Sequence, residues 1–569
     1  MNQRRKSEFV FERIKIMNSI GRKLTLTLLA VATLITTMNG FADNVRGQNE
    51  ARGETNLAVN ANVSGSAASG LGENNVTVTR PTFDVRLYGA VGNGTVMDTE
   101  AIQKAIDAAA KAGGGSVRLS SGTFLCGSLT LKSHVTLWLE KRAVLLGSPH
   151  RADYRKLDFY ALILAEGQED IGIAGEGVID GQGRLLVADT SHFRPQRNPP
   201  YADENERPFI INFRNCRNVV VRDITLKESA CWVQDYHNCK NLTVENIKVR
   251  TMAAITNDGL DIDGCSDVIV RGCDIDSEDD GICLKSSDRL CENVLVENCR
   301  VRSSCYAFKL GTASVKGFKN ITCRNLEVYD TYRSGIALES VDGGVLENVS
   351  ISNVTMTNTA NALFIRLGQR NTKGPVGSLR NVVISDVTVE IPNRRRGEMN
   401  KFPPDWPPRG NEPLIPASIT GLPGCPVRDI TLRNVSLIYG GIGAKPQREQ
   451  YRLDNLAKVP ECAADYPSCA MFGPLPAWGF YIRHADGIKF ENVTLRVSGE
   501  DFRPALVCDE VKHFTLESSQ ILWAGSEPVI ILKDVDGVTI HDSPAPKNCI
   551  HFVVSKVGNS QSRASELFK

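Results

Sequence analysis

The chain has almost no net charge, because 66 Lys and Arg residues stand against 65 Asp and Glu residues and leave a formal charge of +1. A basic excess would indicate nucleic acid as a partner, and a strong acidic excess would indicate disorder; the sequence has neither. We therefore expect no nucleic-acid partner. A charged substrate would have to be bound by a local patch of oppositely charged residues.

Long apolar runs are scarce as well. One run spans residues 24–35, follows a basic pair and precedes a small-x-small sequence that ends at Ala42. This order is typical of a secretory signal peptide, and the run is short for a membrane anchor, which is the alternative. We expect residues 1–42 to be a signal peptide, residues 43–80 to be a flexible leader, and the protein to be secreted or periplasmic without a membrane span.

The sequence also lacks the patterns of several enzyme classes. No Ser-His-Asp arrangement, phosphate-binding loop or zinc-ligand spacing occurs in a suitable context. We therefore expect neither a cofactor nor a metal.

What the sequence does contain is a repeat of short strands. Similar segments begin at Asn or Asp residues that are 23, 26, 26, 27 and 28 residues apart: Asn218, Asn241, Asp267, Asn293, Asn320 and Asn348. Two further strands follow each start, with apolar, often β-branched residues at every second position, which favours strands over helices. Three short strands per repeat describe one rung of a β-helix, and stacked rungs share one core. We predict an all-β fold for residues 81–569, a single-stranded right-handed parallel β-helix.

Helical periodicity is clear only at residues 99–112. Asp98 is the predicted N-cap, and three glycines from Gly113 end the helix. We expect this α-helix to cap the N-terminal end of the β-helix, where unpaired strand edges would otherwise be exposed.

Cysteines recur at one position of the repeat, two residues before the Asn or Asp: Cys216, Cys239, Cys265 and Cys291. A metal or disulfide ladder is one interpretation, but a column of small apolar thiols inside the coil is favoured. Cys462 and Cys469, which lie in an irregular insertion, are the better disulfide candidates.

The densest group of acids lies on two consecutive rungs. Asp258 and Asp280 occupy matching turns, Asp279 is adjacent, and rungs stack roughly 4.8 Å apart. Crowded carboxylates raise the pKa of at least one member. A protonated acid beside ionised carboxylates is what glycoside hydrolysis requires. The alternative is that Asp-Gly pairs only form turns, but three converging carboxylates favour a catalytic role.

The strands after these turns predict further outward-facing groups. Because Leu and Ile residues alternate inward, Asp261, Asp263, Cys283 and Lys285 should face out of the coil.

From about residue 82 to residue 540 the chain resembles glycoside hydrolase family 28, the polygalacturonase family. The resemblance rests on residues 256–261 (Thr-Asn-Asp-Gly-Leu-Asp), residues 279–281 (Asp-Asp-Gly) and residues 177–183 (Gly-Val-Ile-Asp-Gly-Gln-Gly). It implies an inverting hydrolase in which Asp279 is the general acid and Asp258 and Asp280 activate water. It also implies that Asn257 and Asp261 lie in the substrate site.

The chain departs from the family pattern at two places. Tyr306 stands where the family has a histidine, and Ala337 and Glu339 stand where it has an arginine and a lysine that hold the galacturonate carboxylate. Lys285 and Lys309, or else Arg333 or Arg366, are candidates to supply the lost charge. We include Lys285, Tyr306, Lys309 and Glu339 among the predicted substrate-binding residues.

Two insertions interrupt the rungs, at residues 392–427 and 440–480. Long loops on a rigid coil usually wall a binding groove, and such walls favour exo action. Aromatic residues in them, including Trp406, Tyr466 and Trp478, either stack on sugar rings or pack their own loops.

These observations predict a secreted monomeric glycoside hydrolase that cuts pectic polysaccharide, polygalacturonase-like and either exo-acting or rhamnogalacturonan-type. One alternative is a calcium-dependent polysaccharide lyase that uses Asp258, Asp261 and Asp263 as ligands. The other is a non-catalytic carbohydrate-binding β-helix.

Overall fold

The computed structural model describes residues 81–188, 204–393, 415–443, 459–523, 525, 528–547, 549–557 and 560–562. The predicted signal peptide, the leader and Trp406 lie outside the described residues. The described residues fall in one compact unit. None of its helices has the length and apolar character needed to cross a membrane.

Short strands make up most of the described chain. Within the ranges given above there are two α-helices, α1 (Thr99–Lys111) and α2 (Gly183–Ala188). The strands in chain order are β1 (Thr82–Asp84), β2 (Asn93–Met97), β3 (Gly115–Leu119), β4 (Gly122–Cys126), β5 (Leu129–Thr130), β6 (Val135–Leu139), β7 (Ala143–Gly147), β8 (Arg155–Lys156), β9 (Tyr160–Glu166), β10 (Glu169–Gly175), β11 (Val178–Asp180), β12 (Phe209–Arg214), β13 (Arg217–Arg222), β14 (Thr225–Lys227), β15 (Gln234–His237), β16 (Lys240–Glu245), β17 (Lys248–Thr251), β18 (Leu260–Asp263), β19 (Ser266–Arg271), β20 (Asp274–Ser277), β21 (Ile282–Ser286), β22 (Cys291–Ser303), β23 (Phe308–Ser314), β24 (Phe318–Ser340), β25 (Val345–Leu367), β26 (Ser378–Ile391), β27 (Ala417–Thr420), β28 (Val427–Tyr439), β29 (Phe480–Val497), β30 (Leu506–Glu517), β31 (Gln520–Leu522), β32 (Ile530–Lys533), β33 (Thr539–His541), β34 (Val553–Val557) and β35 (Ser560–Ser562).

Apart from the antiparallel pairs β8–β9 and β34–β35, the strands pair in three parallel ladders, and the chain passes through each ladder once per turn. The first ladder contains β13, β16 and β19, the second contains β14, β17 and β20, and the third contains β15, β18 and β21. Connections between parallel strands of one sheet are right-handed in the great majority of proteins. The fold is the predicted single-stranded right-handed parallel β-helix.

The inside of the coil is filled by apolar side chains that recur once per rung. In the first ladder these include Val219, Leu242, Val268, Val294 and Ile321, none of which is more than 2% exposed. Burying a side chain of this size stabilises the fold by roughly 1.5–3 kcal/mol, but only when rungs above and below enclose it. Stability therefore depends on stacking rather than on any single rung.

The recurring Asn and Asp residues form the corner between the third ladder and the first. Asn218, Asn241 and Asp267 have φ angles of 53°, 55° and 58°, in the left-handed region that Asn and Asp tolerate better than most residues. Their side chains also bond from rung to rung, since Asn241 Nδ2 donates to Asn218 Oδ1 at 2.9 Å. The repeat is thus marked by the residue type that the corner requires.

The cysteine column lies inside the coil, as predicted. Cys216, Cys239, Cys265 and Cys291 are at most 1% exposed. All sixteen cysteines of the chain lie in the described part and all are free thiols, so the predicted disulfide of the insertion is wrong. The Cys462 thiol donates to the carbonyl of Met471 at 3.4 Å instead.

Helix α1 covers the N-terminal end of the coil with its apolar face, which includes Ile102 and Ile106. Asp98 occupies the N-cap position, but its side chain does not cap the helix. The carboxylate instead accepts hydrogen bonds from the backbone N–H groups of Val91 and Gly92, at 2.7 and 3.0 Å. It therefore fixes the preceding loop.

Candidate active site

The candidate site lies on the outer face of the third ladder. Leu260, Ile262, Ile282 and Leu284 point into the core, as predicted. The outward positions stack in register from β12 to β23 and form a set that we call the central column: Asn212, Asp235, Asp261, Cys283 and Lys309. All five are at most 2% exposed, so this outward face is covered by other parts of the chain.

The predicted catalytic acids stand at the start of this ladder, where the rungs stack closely. Carboxylate oxygens of Asp258 and Asp280 lie within 4.8 Å of each other, and so do oxygens of Asp279 and Asp280. Asp258 and Asp280 are each 4% exposed. The stacking predicted from the repeat therefore brings the three carboxyl groups together.

Glycine follows two of the acids because the next rung approaches too closely for a side chain. A Cβ atom on Gly259 would lie 2.7 Å from the carbonyl oxygen of Gly281, and one on Gly281 would lie 2.7 Å from that of Ala307. The Asp-Gly pairs therefore permit the close stacking that gathers the carboxylates.

Asn257 holds the turn that carries Asp258. Its amide nitrogen donates to the carbonyls of Ser229 and Cys231 at 2.9 and 2.6 Å, and its amide oxygen accepts from the N–H of Ala254 at 2.7 Å. Because the residue is fully buried and both donors are used, its role in this structure is to shape the site.

Two lysines neutralise part of the acidic charge. Lys285 Nζ lies 2.7 Å from Asp261 Oδ1 and 3.6 Å from Asp258 Oδ2, and Lys309 Nζ lies 2.9 Å from Asp280 Oδ2. Both lysines are nearly fully buried. The two predicted cations are therefore already paired with carboxylates of the site.

The ion pairs with the two lysines give the acids of the site different protonation states. Burial, together with Asp261 and Asp279, raises the pKa of Asp258 well above its usual range. Burial alone would also raise the pKa of Asp280, but Lys309 and Lys285 outweigh it and the pKa is lowered. Near neutral pH the site thus holds an ionised Asp280 beside a carboxyl group that is driven towards its protonated form.

Asp279 differs from its two neighbours in its surroundings. It is partly exposed, and its carboxylate makes no ion pair or hydrogen bond with any other described residue. Its backbone oxygen accepts hydrogen bonds from the hydroxyls of Ser277 and Ser303, at 3.0 and 2.6 Å. The backbone is fixed while the carboxyl group is left available.

Tyr306 forms part of an apolar wall rather than an open surface. It is fully buried, and its hydroxyl accepts a hydrogen bond from the N–H of Cys469 at 3.3 Å. The cluster around it contains Phe364, Phe472 and Tyr481, and we call this cluster the C-terminal wall. The second insertion thus packs against the candidate site.

The aromatic residues of the insertion behave differently from one another. Trp478 is buried in the core beside Tyr439, with 6.1 Å between ring centroids. Tyr466 is 57% exposed, and its hydroxyl lies 3.0 Å from Thr312 Oγ1. Of these two described residues, Tyr466 is the one that can face a ligand.

Glu339 lies beside Thr312, whose hydroxyl donates to Glu339 Oε2 at 3.3 Å. The other carboxylate oxygen is buried and has no hydrogen-bond partner among the described residues. Burial raises the pKa of Glu339 to about 7, against the opposing effect of Lys309. Glu339 thus places a carboxyl group where the resemblance predicts a cation.

The structure adds three aromatic residues to the site. Phe159 and Phe209 stack at 5.0 Å, Phe209 and Trp232 stack at 5.4 Å, and Lys285 Nζ lies 4.5 Å from the centroid of the Trp232 ring. We call these three rings the aromatic shelf. The aromatic shelf was not predicted from the sequence, although Phe209 and Trp232 are one repeat apart and could have been found from the register.

The oxygen donors of the site do not match a calcium centre. The two groups of potential ligands found among the described residues each combine two carboxylates with a thiol: Asp258, Asp280 and Cys283, and Asp279, Asp280 and Cys305. Calcium prefers six to eight oxygen ligands. Buried lysines already lie against Asp258 and Asp280, which disfavours the calcium-dependent lyase.

Fold and site together define a parallel β-helix with a cluster of aspartates on one ladder. The model of "Glycosyl hydrolases family 28" matches residues 116–394, just under half of this chain, and confirms the resemblance predicted from the sequence. A "Probable polygalacturonase" of Vitis vinifera is 25% identical over 323 residues, which are 53% of this chain and 60% of that protein. An "Exo-poly-alpha-D-galacturonosidase" of Dickeya chrysanthemi is 24% identical over 390 residues, covering 56% of this chain and 64% of that protein.

The chain therefore spans somewhat less than two thirds of the length of these two relatives. Among solved structures, a "hyperthermoactive Exopolygalacturonase from Thermotoga maritima" aligns with a TM-score of 0.51 at 21% identity, over 63% of this chain and 87% of that one. At this identity the likeness supports the fold.

Proposed function

We propose that this protein is a secreted glycoside hydrolase that cleaves pectic polysaccharide with inversion, from a chain end, by aspartate acid–base catalysis. The observation that carries the proposal is the gathering of Asp258, Asp279 and Asp280 in three different environments. The match to the family model and the polygalacturonase relatives support the same reaction class.

Asp280 is the proposed base. Lys309 keeps its carboxylate ionised, and an oxygen of Asp258 lies within 4.8 Å of it. This separation lets one water molecule bond to both carboxyl groups, because each O–H···O bond spans about 2.7–2.8 Å. Asp258, with its raised pKa, orients that water while Asp280 removes its proton.

Asp279 is the proposed general acid. Its carboxyl group is partly exposed and has no ion-pair partner among the described residues, so a glycosidic oxygen can approach it. An inverting reaction needs the acid and the base on opposite sides of the bond that is cut. In the proposed reaction Asp279 protonates the leaving oxygen, and the water at Asp280 attacks the anomeric carbon from the other side.

Arg333 is the proposed contact for a uronate carboxylate. Its Nη1 lies 3.1 Å from Cys305 Sγ, and that sulfur lies within 4.8 Å of a carboxylate oxygen of Asp279. The guanidinium group lies over the Tyr306 ring at 5.5 Å, and it makes no ion pair with any described carboxylate. Because Arg binds planar carboxylates well, Arg333 can supply the charge that Ala337 and Glu339 lack.

The two ends of the central column support action at a chain end. On one side the column is bounded by the aromatic shelf and Leu164, and on the other by the C-terminal wall. Clusters at both ends of the column would keep the site short, and a short site would favour a chain terminus over the middle of a long polymer.

The test is hydrolysis of oligogalacturonate and of pectic oligosaccharides by the purified protein, with reducing ends and anomers followed by NMR. We expect an inverted product in the parent and at least a 1,000-fold lower kcat in Asp279→Asn. Asp267→Asn is the matched control, because Asp267 lies at a corner position where other rungs carry Asn. A parent that cuts no glycan, or an Asp279→Asn variant with parental kcat, would overturn the proposal.

The same assay separates the alternatives. A lyase would release an unsaturated, ultraviolet-absorbing sugar in a calcium-dependent reaction. A non-catalytic binding protein would bind oligosaccharides equally well as parent and as Asp279→Asn, and neither would turn them over.

A further inference from the structure

Hydroxyl residues end the strands of the second ladder in three successive rungs. Thr251, Ser277 and Ser303 are the last residues of β17, β20 and β22, and they stack in register. Each is at most 1% exposed. The turns that follow the first two carry Asp258 and Asp279. The hydroxyl groups therefore lie beside the backbone that supports the site.

The hydroxyl of Ser303 joins two of these turns. It donates to the backbone oxygen of Asp279 at 2.6 Å and accepts from the backbone N–H of Cys305 at 2.8 Å. A serine hydroxyl has one hydrogen to donate, so these bonds use its donor and one of its two acceptor positions. Because Ser303 is fully buried, it links the turn of the proposed general acid to the turn of the next rung in a place sheltered from water.

The carboxyl group of Asp279 depends on this backbone for its position. Since the carboxylate bonds to no other described residue, its place follows from the place of the backbone that carries it. The Asp279 N–H donates to the carbonyl of Asn257 at 3.2 Å, and its carbonyl accepts from Ser277 at 3.0 Å as well as from Ser303. A carbonyl oxygen has two lone pairs, and both are then occupied.

Cys305 extends the link to Arg333. The backbone oxygen of Cys305 accepts from the Arg333 N–H at 2.9 Å, and its sulfur accepts from Arg333 Nη1 at 3.1 Å. One run of hydrogen bonds thus connects the proposed general acid to the proposed uronate contact, through Ser303 and Cys305. A general acid acts only within hydrogen-bond reach of the leaving oxygen while the sugar is held in place. The separation of these two groups therefore determines how often the acid can act.

We propose that Ser303 is a positioning residue that sets the separation between the Asp279 carboxyl group and the Arg333 guanidinium group. This inference rests on the proposed function and deepens it, because it assigns the support of the general acid. The Ser277 hydroxyl differs in its contacts, since it lies 3.0 and 3.3 Å from the carbonyl oxygens of Asp279 and Asp280. It therefore supports the acid without a bond to the Cys305 turn.

Ser303→Ala removes the link, and Ser303→Thr keeps the hydroxyl at a position where the buried row already holds Thr251. The measurement is kcat and KM on oligogalacturonate and on the 4-nitrophenyl glycoside of galacturonate. We expect Ser303→Ala to lower kcat for oligogalacturonate about 30-fold, equivalent to about 2 kcal/mol. Its kcat for the nitrophenyl glycoside should change less than about 3-fold, because a good leaving group needs little protonation. Ser303→Thr should stay within about 3-fold of the parent on both substrates.

Ser519→Ala is the matched control, because Ser519 is a buried serine with the same pair of bonds several rungs away. Its hydroxyl accepts from the N–H of Val493 at 3.0 Å and donates to the carbonyl of Glu517 at 2.8 Å. Ser519→Ala should leave kcat within about 2-fold on both substrates.

The variants Ser303→Ala and Ser277→Ala should differ in KM. We expect Ser303→Ala to raise KM for oligogalacturonate about 3-fold, since the link to Arg333 is lost, and Ser277→Ala to lower kcat with an unchanged KM. Equal losses on the two substrates in Ser303→Ala, or parental kcat on both, would overturn the positioning role. Thermal unfolding identifies a variant that does not fold. Ser303→Cys, whose thiol is a weaker donor and acceptor, then replaces Ser303→Ala with the same expected directions.

Amide hydrogen exchange of residues 278–284 reads the link without catalysis. Exchange should be about 10-fold faster in Ser303→Ala than in the parent and in Ser519→Ala. Unchanged exchange in Ser303→Ala would overturn the link between the turns. If the parent cuts no glycan but exchange is faster in Ser303→Ala, the hydrolase proposal fails and the link stands.

Discussion

Lys309 Nζ lies 2.9 Å from Asp280 Oδ2, and the two residues are only 2% and 4% exposed. A buried ion pair of this kind adds little net stability, because both charges lose their hydration. Its effect is on the protonation state, since Lys309 holds the pKa of Asp280 low against the effect of burial. The pair therefore keeps one carboxylate of the cluster ready to accept a proton.

Lys309→Met should remove the cation that keeps the Asp280 carboxylate ionised. Without the cation, burial dominates and the pKa of Asp280 rises, so the carboxylate is ionised only at higher pH. We expect kcat to fall about 100-fold or more at pH 6, and the acidic limb of the pH–rate profile to move to higher pH. The measurement is kcat and kcat/KM from pH 4 to pH 9 for parent and variant.

Lys309→Arg controls for the loss of charge, because it keeps a cation at the same position. It should restore part of the activity and return the acidic limb towards the parental pH. An unshifted limb in a folded Lys309→Met variant would contradict the role assigned to this lysine.

Glu339 provides a second test, through stability rather than activity. Its pKa is about 7 in the folded protein, against an ordinary value of 4.5. A carboxyl group whose pKa is raised by folding is harder to ionise in the folded protein, so the free energy of unfolding falls as pH rises from about 4.5 to about 7. Glu339→Gln should therefore raise stability above pH 7 by about 2–4 kcal/mol and leave it nearly unchanged at pH 4.

Urea denaturation of parent and variant at pH 4 and pH 8 measures this effect. Glu176→Gln is the control, because the Glu176 side chain is 67% exposed and pairs only weakly with Lys141. Equal stabilisation at both pH values would show that the gain comes from packing rather than from ionisation.

The repeat allowed the fold and the acid cluster to be predicted from sequence. Asp258 and Asp280 are one rung apart, and a parallel β-helix places equivalent positions of adjacent rungs side by side. The same rule brings Asp235 next to Asp261, but no glycine follows Asp235 and it belongs to no motif. Its burial and the missing hydrogen bond at Oδ1 are known only from the structure.

The surroundings of Tyr306 could not be predicted from its own rung. Its hydroxyl bonds to Cys469, which is 163 residues away in the chain. The path of the second insertion decides whether Tyr306 faces substrate or lies within a wall, and no local pattern encodes that path. The pairing of Lys309 with Asp280 was not predicted for a related reason. The two residues are 29 positions apart in the chain, and whether their side chains meet depends on the side-chain conformation of Lys309.

Substitutions of Asn241 test how much the corner residue of the repeat contributes to the free energy of unfolding. Asn241→Ala should destabilise the protein by about 1–2 kcal/mol, because alanine disfavours a φ of 55° and cannot bond to Asn218. Asn241→Gly keeps the backbone conformation and loses only the hydrogen bond, so it should cost less. Urea denaturation of both variants checks the order, and a glycine variant less stable than the alanine variant would contradict it.

The free thiols allow a prediction that needs no substitution. With all sixteen cysteines unpaired, a thiol reagent should titrate sixteen groups in denatured protein without prior reduction. In the native protein only Cys425, Cys462 and Cys549 are more than slightly exposed, so at most three groups should react rapidly. Because there is no cross-link to break, a reductant should leave Tm unchanged, whereas loss of a native disulfide typically costs about 2–5 kcal/mol. A drop in Tm with reductant, or fewer than sixteen thiols in the denatured chain, would show that cysteines pair in the purified protein.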